Sequence, residues 1–111
     1  MEITTDELRK IAEHIGLPLM ESSDGKTRYE VKAKNGIGWH HIIFNPETNL
    51  EQLEMIIDWC IKSGFDIAIQ FEQGTKKWGC EIFTTENYYS EFGTNKSTAF
   101  LKSFSQLIET N

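Results

Sequence analysis

The chain has 111 residues, 39% of them hydrophobic and 25% charged, with a formal net charge of −6. That length predicts one domain burying roughly two-thirds of its surface, and the ordinary balance excludes a disordered chain. The acidic excess argues against a phosphate-backbone binder, which needs clustered Lys and Arg, and no apolar run is long enough to cross a bilayer.

Thr4-Thr5-Asp6-Glu7 is a helix start, with Thr4 and Glu7 in capping-box register. Leu8, Ile11, Ala12 and Ile15 follow on one face, and Gly16 and Pro18 end the helix. These acidic, helix-forming first residues do not read as a signal peptide. Glu21 to Lys26 is a polar turn region. Tyr29, Val31 and Ala33 then alternate with Arg28, Glu30, Lys32 and Lys34, which predicts a half-exposed strand. Asn35-Gly36 is a hairpin signal, and the return strand is expected over Trp39 to Phe44.

The stretch from Thr48 to Thr84 organises the rest. Asn45-Pro46-Glu47-Thr48-Asn49 cannot continue a regular element, because proline locks φ and lacks a donor. Thr48 and Glu51 form a second capping-box pattern. Leu50, Leu53, Ile57, Cys60 and Ile61 recur at helical spacing, with Ile56 and Trp59 widening the stripe. Gly64 is the expected C-terminal stop. Beyond it the period becomes two. Phe65, Ile67, Ile69 and Phe71 point one way, and Asp66, Ala68, Gln70 and Glu72 the other. Gln73-Gly74-Thr75-Lys76 predicts a hairpin turn, and Trp78, Cys80 and Ile82 alternate with Lys77, Gly79, Glu81 and Phe83.

After a turn at Thr84 to Asn87, Tyr88 to Phe92 predicts a further strand, broken by Gly93-Thr94-Asn95. A last helix runs from about Ser97 to Ile108 with an apolar stripe of Phe100, Leu101, Phe104, Leu107 and Ile108. The expected fold class is α+β, in the order α-β-β-α-β-β-β-α. Short connections predict a mainly antiparallel sheet. Apolar residues on both strand faces predict helices on both sides of it, an α/β/α sandwich.

From Phe44-Asn45-Pro46-Glu47-Thr48-Asn49 through Gly64-Phe65, Lys77-Trp78 and Tyr88–Phe92 to Thr98-Ala99, the chain resembles the phage α/β/α (ABA) sandwich domain. The likeness covers about residues 44 to 108. Members are small proteins of phages and prophages. The resemblance implies that fold and that setting, and no catalytic residues.

Candidate chemistry is sparse. Cys60 and Cys80 fall inside a predicted helix and strand and read as reduced core thiols, which implies an intracellular, cytoplasmic protein. His40 and His41 are adjacent, so on a strand they face opposite sides, and His14 lies far off in sequence; no metal site is expected. Gly36-Ile37-Gly38 is too short for a phosphate loop. No cofactor is expected.

Two surfaces stand out. Glu47, Glu51, Glu54 and Asp58, spaced four, three and four, form an acidic ridge on the outer face of the central helix. It reads as a solvated face or as a surface docking a basic partner, such as a nucleic-acid-binding host protein. Trp78, Tyr88, Tyr89 and Phe92 fall on neighbouring strands, with Tyr88 and Phe92 on one face and Tyr89 on the other. Packed, they are core. Exposed, with Glu86 and Glu91 among the polar groups around them, they are a ligand or partner rim to which Lys76 and Lys77 add positive charge.

The expectation is therefore a non-enzymatic phage or prophage accessory protein that binds a host protein or a small molecule. Countering a host defence, or acting as an immunity-type protein, suits this profile. The alternative is a small nucleotide-binding domain or enzyme using the aromatic and carboxylate surface at residues 76–92, with Glu81, Glu86 or Glu91 as acid or base. Exposed edge strands offer a route to a homodimer.

Overall fold

In a computed structural model, which describes residues 3–20, 23–33 and 36–110, the first helix α1 (Thr5–His14) starts at the expected capping box. The Thr4 hydroxyl accepts from the Glu7 N–H, and the Glu7 carboxylate accepts from the Thr4 N–H, each at 3.1 Å. Gly16 ends the helix in the left-handed region at φ 83°. There the Leu17 and Gly16 N–H groups return to the Ala12 and Glu13 carbonyls, which satisfies the last turn.

A short strand β1 (Leu19–Met20), absent from the sequence expectation, pairs antiparallel with β2 (Arg28–Lys32). Two residues are too few to show a period. β2 pairs in turn with β3 (Trp39–Ile43), closing the first sheet in the order β1-β2-β3. The expected Asn35-Gly36 hairpin and the Glu21–Lys26 turn lie partly outside the described residues.

Helix α2 (Leu50–Lys62) begins one residue later than the Thr48 capping box predicts. Thr48 belongs to a turn in which its own N–H and that of Asn49 both donate to the Asn45 carbonyl. The cap is Asn49, whose side-chain oxygen accepts from the Gln52 N–H at 3.1 Å. Gln52 itself is buried. Its side-chain oxygen accepts from the Asn45 N–H at 2.6 Å, and its amide donates to the Ile43 carbonyl at 2.8 Å and to the Tyr29 hydroxyl at 3.3 Å. One side chain thereby ties the first sheet and the following loop to α2.

Gly64, at φ 82°, stops α2 with the same double return, Phe65 N–H to the Cys60 carbonyl and Gly64 N–H to the Ile61 carbonyl. β4 (Asp66–Glu72), β5 (Lys77–Phe83) and β6 (Tyr88–Gly93) then form a second antiparallel sheet in sequential order. Ile67, Ile82 and Tyr89 lie side by side on its inner face; Ile69, Cys80 and Glu91 form the next row, and Phe71, Trp78 and Gly93 the third.

The last helix, α3 (Lys96–Thr110), is covered on two sides. Facing the sheet, the Ser103 hydroxyl donates to the Cys80 carbonyl at 2.8 Å. Facing α1, the Ser105 hydroxyl donates to the Glu7 carboxylate at 3.0 Å. Phe104 also meets the Trp59 ring of α2 edge-on at 5.6 Å. Such a helix is buried nearly all round, which is why its apolar stripe is wide.

The α+β class and the antiparallel pairing stand as expected, with two differences in arrangement. The strands divide into two three-stranded sheets rather than one. The outer face of β4–β6 carries Ala68, Phe83, Tyr88, Ser90 and Phe92, all exposed, so helices cover that sheet on one side and α3 is the middle layer. Sequence alternation suggested two buried faces because the outer face holds aromatic residues. These cover each other instead: Phe83 stacks on Tyr88 at 6.0 Å, and Phe92 lies over Gly79, where an added Cβ would sit 3.2 Å from its ring.

Candidate docking surface

The six residues expected to form a rim near residues 76–92 do not converge. Tyr89 is buried on the inner face. Trp78 is half-buried on that face, edge-on to Phe71 at 5.3 Å, with the Lys96 ammonium 5.1 Å from its ring centre. Glu91, also inward, accepts a hydrogen bond from the Gln106 side chain. Tyr88 (66% exposed) and Phe92 project from the opposite face, and Glu86 sits in the exposed turn between β5 and β6. Glu81 points outward beside Ser90. The carboxylates Glu81, Glu86 and Glu91 therefore share no cleft.

The acidic ridge also divides. Glu51, Glu54 and Asp58 are exposed on α2. Glu47 precedes the helix and turns to α3, where its carboxylate accepts from the Thr98 hydroxyl at 2.9 Å and its carbonyl from the Ser97 hydroxyl at 2.9 Å. It serves the N-terminal end of α3, where a negative group is favourable.

His40 and His41 are exposed on opposite faces of β3, and His41 Nε2 lies 3.5 Å from the Glu30 carboxylate. His14 packs against the Trp59 and Phe104 rings. Among the described residues no group of three or more His, Cys, Asp or Glu side chains could hold a metal ion. Cys60 and Cys80 are free and buried. Burial, with the neighbouring Cys80, pushes the Cys60 thiol up to about 12; burial likewise raises Cys80 to about 11 against the hydrogen bond of Ser103. Such thiols are inert.

What the structure does bring together is a groove of about 630 Å³ between α2 and β4. Ile57 and Ile61 line it on one side and Ile67 and Ile69 on the other, with Gly64, Phe65 and Asp66 at the connection between α2 and β4. Ile61 is 61% exposed. The apolar stripe continues up α2 to Leu50, 66% exposed and two turns before Ile57, and along β4 to Phe71. Glu54 and Asp58 flank it, since each lies three residues before one of the groove isoleucines. Beyond the apolar wall, β4 is the first strand of its sheet, with β5 as its neighbour and its other edge unpaired among the described residues.

Sequence reasoning placed Ile57 and Ile61 in the core stripe. A signal was there: the apolar positions of α2 span a wider arc than one buried face requires. Gln52, Ile56 and Cys60 are the buried line, and Leu50, Ile57 and Ile61 lie round from it.

A second, open depression of about 1020 Å³ lies between α1 and β1, lined by charged and small residues including Asp6, Arg9 and Lys26. Asp6 and Arg9 pair with each other at 2.9 Å, and the lining mixes these charges with Leu19 and Met20.

No helix among the described residues is long and apolar enough to cross a membrane. Compared with protein-family models, curated proteins and solved structures, the chain gives no match.

Proposed function

We propose that this chain is a non-enzymatic accessory protein that works by docking another protein in the groove between α2 and β4. The observation that carries the reading is the make-up of that groove: isoleucine walls left open to solvent, beside acidic side chains on α2. Contiguous apolar surface rimmed by polar groups marks interaction sites in soluble proteins. In the phage or prophage setting implied by the sequence resemblance, the partner is a host protein of the cytoplasm, and binding it would block or shield it. Two buried free thiols suit that reducing compartment.

Affinity capture from bacterial host lysate, with wild type and Ile61→Asp as parallel baits, tests this. Ile61 is exposed, so the substitution should leave the fold intact. A protein held by the wild type and lost by the variant is the expected result. Equal retention by both baits, or no retention by either, removes the reading.

One observation favours the alternative of a small nucleotide-binding domain: the open aromatic strip of Phe83, Tyr88 and Phe92, which could stack on a flat ring. Glu81, on the same face, and the net charge of −6 oppose an anionic ligand there. Saturable quenching of Tyr88 fluorescence by a nucleoside, absent in Tyr88→Ala, would support it.

A further inference from the structure

Resting on the docking reading above, we infer that the partner enters the groove as an extended strand, which pairs with the free edge of β4 and carries basic side chains on its solvent face.

Backbone geometry comes first. β4 runs seven residues in unbroken one-to-one register with β5, so no bulge bends its outer edge away. Proteins blunt open edges with proline, with charged side chains, lysine above all, or with inward-pointing charge. Asp66–Glu72 has no proline or lysine and confines its two charges to the outward side chains at its ends, while its inward side chains are Ile67, Ile69 and Phe71. Among the described residues no strand pairs with this edge, which leaves its row of backbone donors and acceptors open.

Side-chain alternation sets the chemistry of the guest. Alternate residues of an added strand would point inward and fill the groove between Ile67 and Ile69 on β4 and Ile57 and Ile61 on α2. These must be apolar. The remaining residues would point outward, opposite or diagonal to Asp66 and Glu72 at the two ends of β4. Lys or Arg there gains cross-strand pairing with these two carboxylates.

A second copy of the chain fits less well. Antiparallel pairing of two β4 strands about Ile69 would set Asp66 opposite Glu72 at both ends, between two molecules each carrying −6. Charge complementarity therefore selects a basic partner.

The test uses the full chain and a short capped peptide alternating lysine with isoleucine. Its controls are a scramble of the same composition, a glutamate–isoleucine counterpart, and the same peptide N-methylated at alternate amides. Binding is read by fluorescence anisotropy, and location by backbone amide exchange. The alternating basic peptide should bind about tenfold or more tighter than any control. It should slow exchange within Asp66–Glu72. Ile69→Lys and Ile61→Asp should each weaken it, and N-methylation tests the backbone pairing without altering the protein. If the scramble binds equally, the inference is overturned. If N-methylation changes nothing while Ile61→Asp still weakens binding, strand addition fails and the docking reading survives. If neither matters, both fail. Concentration-dependent self-association that protects β4 without peptide would overturn the basic partner in favour of a second copy.

Discussion

The Glu47 carboxylate accepts a 2.9 Å hydrogen bond from the Thr98 hydroxyl, joining the loop before α2 to the first turn of α3 across 51 residues of sequence. Of the four acids in the ridge it is the one committed to the fold, whereas Glu51, Glu54 and Asp58 face solvent. Glu47→Ala should cost about 1.5 kcal/mol in urea unfolding, the range for a hydrogen bond to a charged group. Glu51→Ala, on the exposed face, should stay within about 0.5 kcal/mol of wild type. Equal costs would mean that the carboxylate–hydroxyl bond contributes nothing.

Gly93 ends β6 where α3 begins. A Cβ added there would lie 2.6 Å from the Ala99 nitrogen, backbone that cannot move aside. Gly93→Ala should therefore lower stability by about 1–3 kcal/mol, as overpacking does. Gly79→Ala is the contrast: its Cβ would sit 3.2 Å from the exposed Phe92 ring, which can shift, and at an ordinary 3.9 Å from the Gln70 carbonyl. Thermal melts of both should show the larger loss at residue 93.

Cys60 and Cys80 should not react with a thiol reagent at pH 8 until the chain unfolds, because burial holds both protonated to about 12 and about 11. Protonation is favoured in the folded state, so this contribution is intact below the ordinary value near 9 and is lost as pH rises toward 11 and 12. Stability measured from pH 8 to 11 should fall less steeply in the double variant Cys60→Ala/Cys80→Ala. Rapid modification of the native protein would show the thiols to be accessible.

Glu7 works at the opposite end of the scale. Burial acts to raise its carboxyl, but hydrogen bonds from the Thr4 amide and hydroxyl and from Ser105, with the Lys102 charge, together bring it below the ordinary value of 4.5. Its contribution is present above that value and is lost as pH falls through the lowered one. Between pH 5 and 3 the wild type should lose stability faster than Glu7→Gln. Parallel curves would mean that the α1–α3 contact does not depend on the charge.

Local punctuation was the legible part of this chain. Thr4 and Glu7 announce α1; Gly16 and Gly64 end α1 and α2 because glycine enters the left-handed region freely. The period-two rows of β4 and β5 and the Gln73–Lys76 turn appear where alternation and turn chemistry put them. Gln52 was not legible: a polar residue in a helical stripe reads as surface, and its burial depends on three partners that the fold supplies. The aromatic rim was half legible. Alternation separates Tyr88 and Phe92 from Tyr89, but cannot say which face is covered.

Apart from the short β1 and a one-residue shift at the start of α2, the order of residues by itself determined which segments are helix and strand, since capping, glycine freedom and side-chain period act over a few neighbouring residues. Only the tertiary structure decided which apolar faces found partners. Ile61 and Ile69 have the same hydrophobicity as Ile56 and Ile82, yet one pair lines an open groove and the other is fully buried. Burial is a property of the neighbours that long-range packing brings up, and that surplus of uncovered isoleucine is what points to a partner.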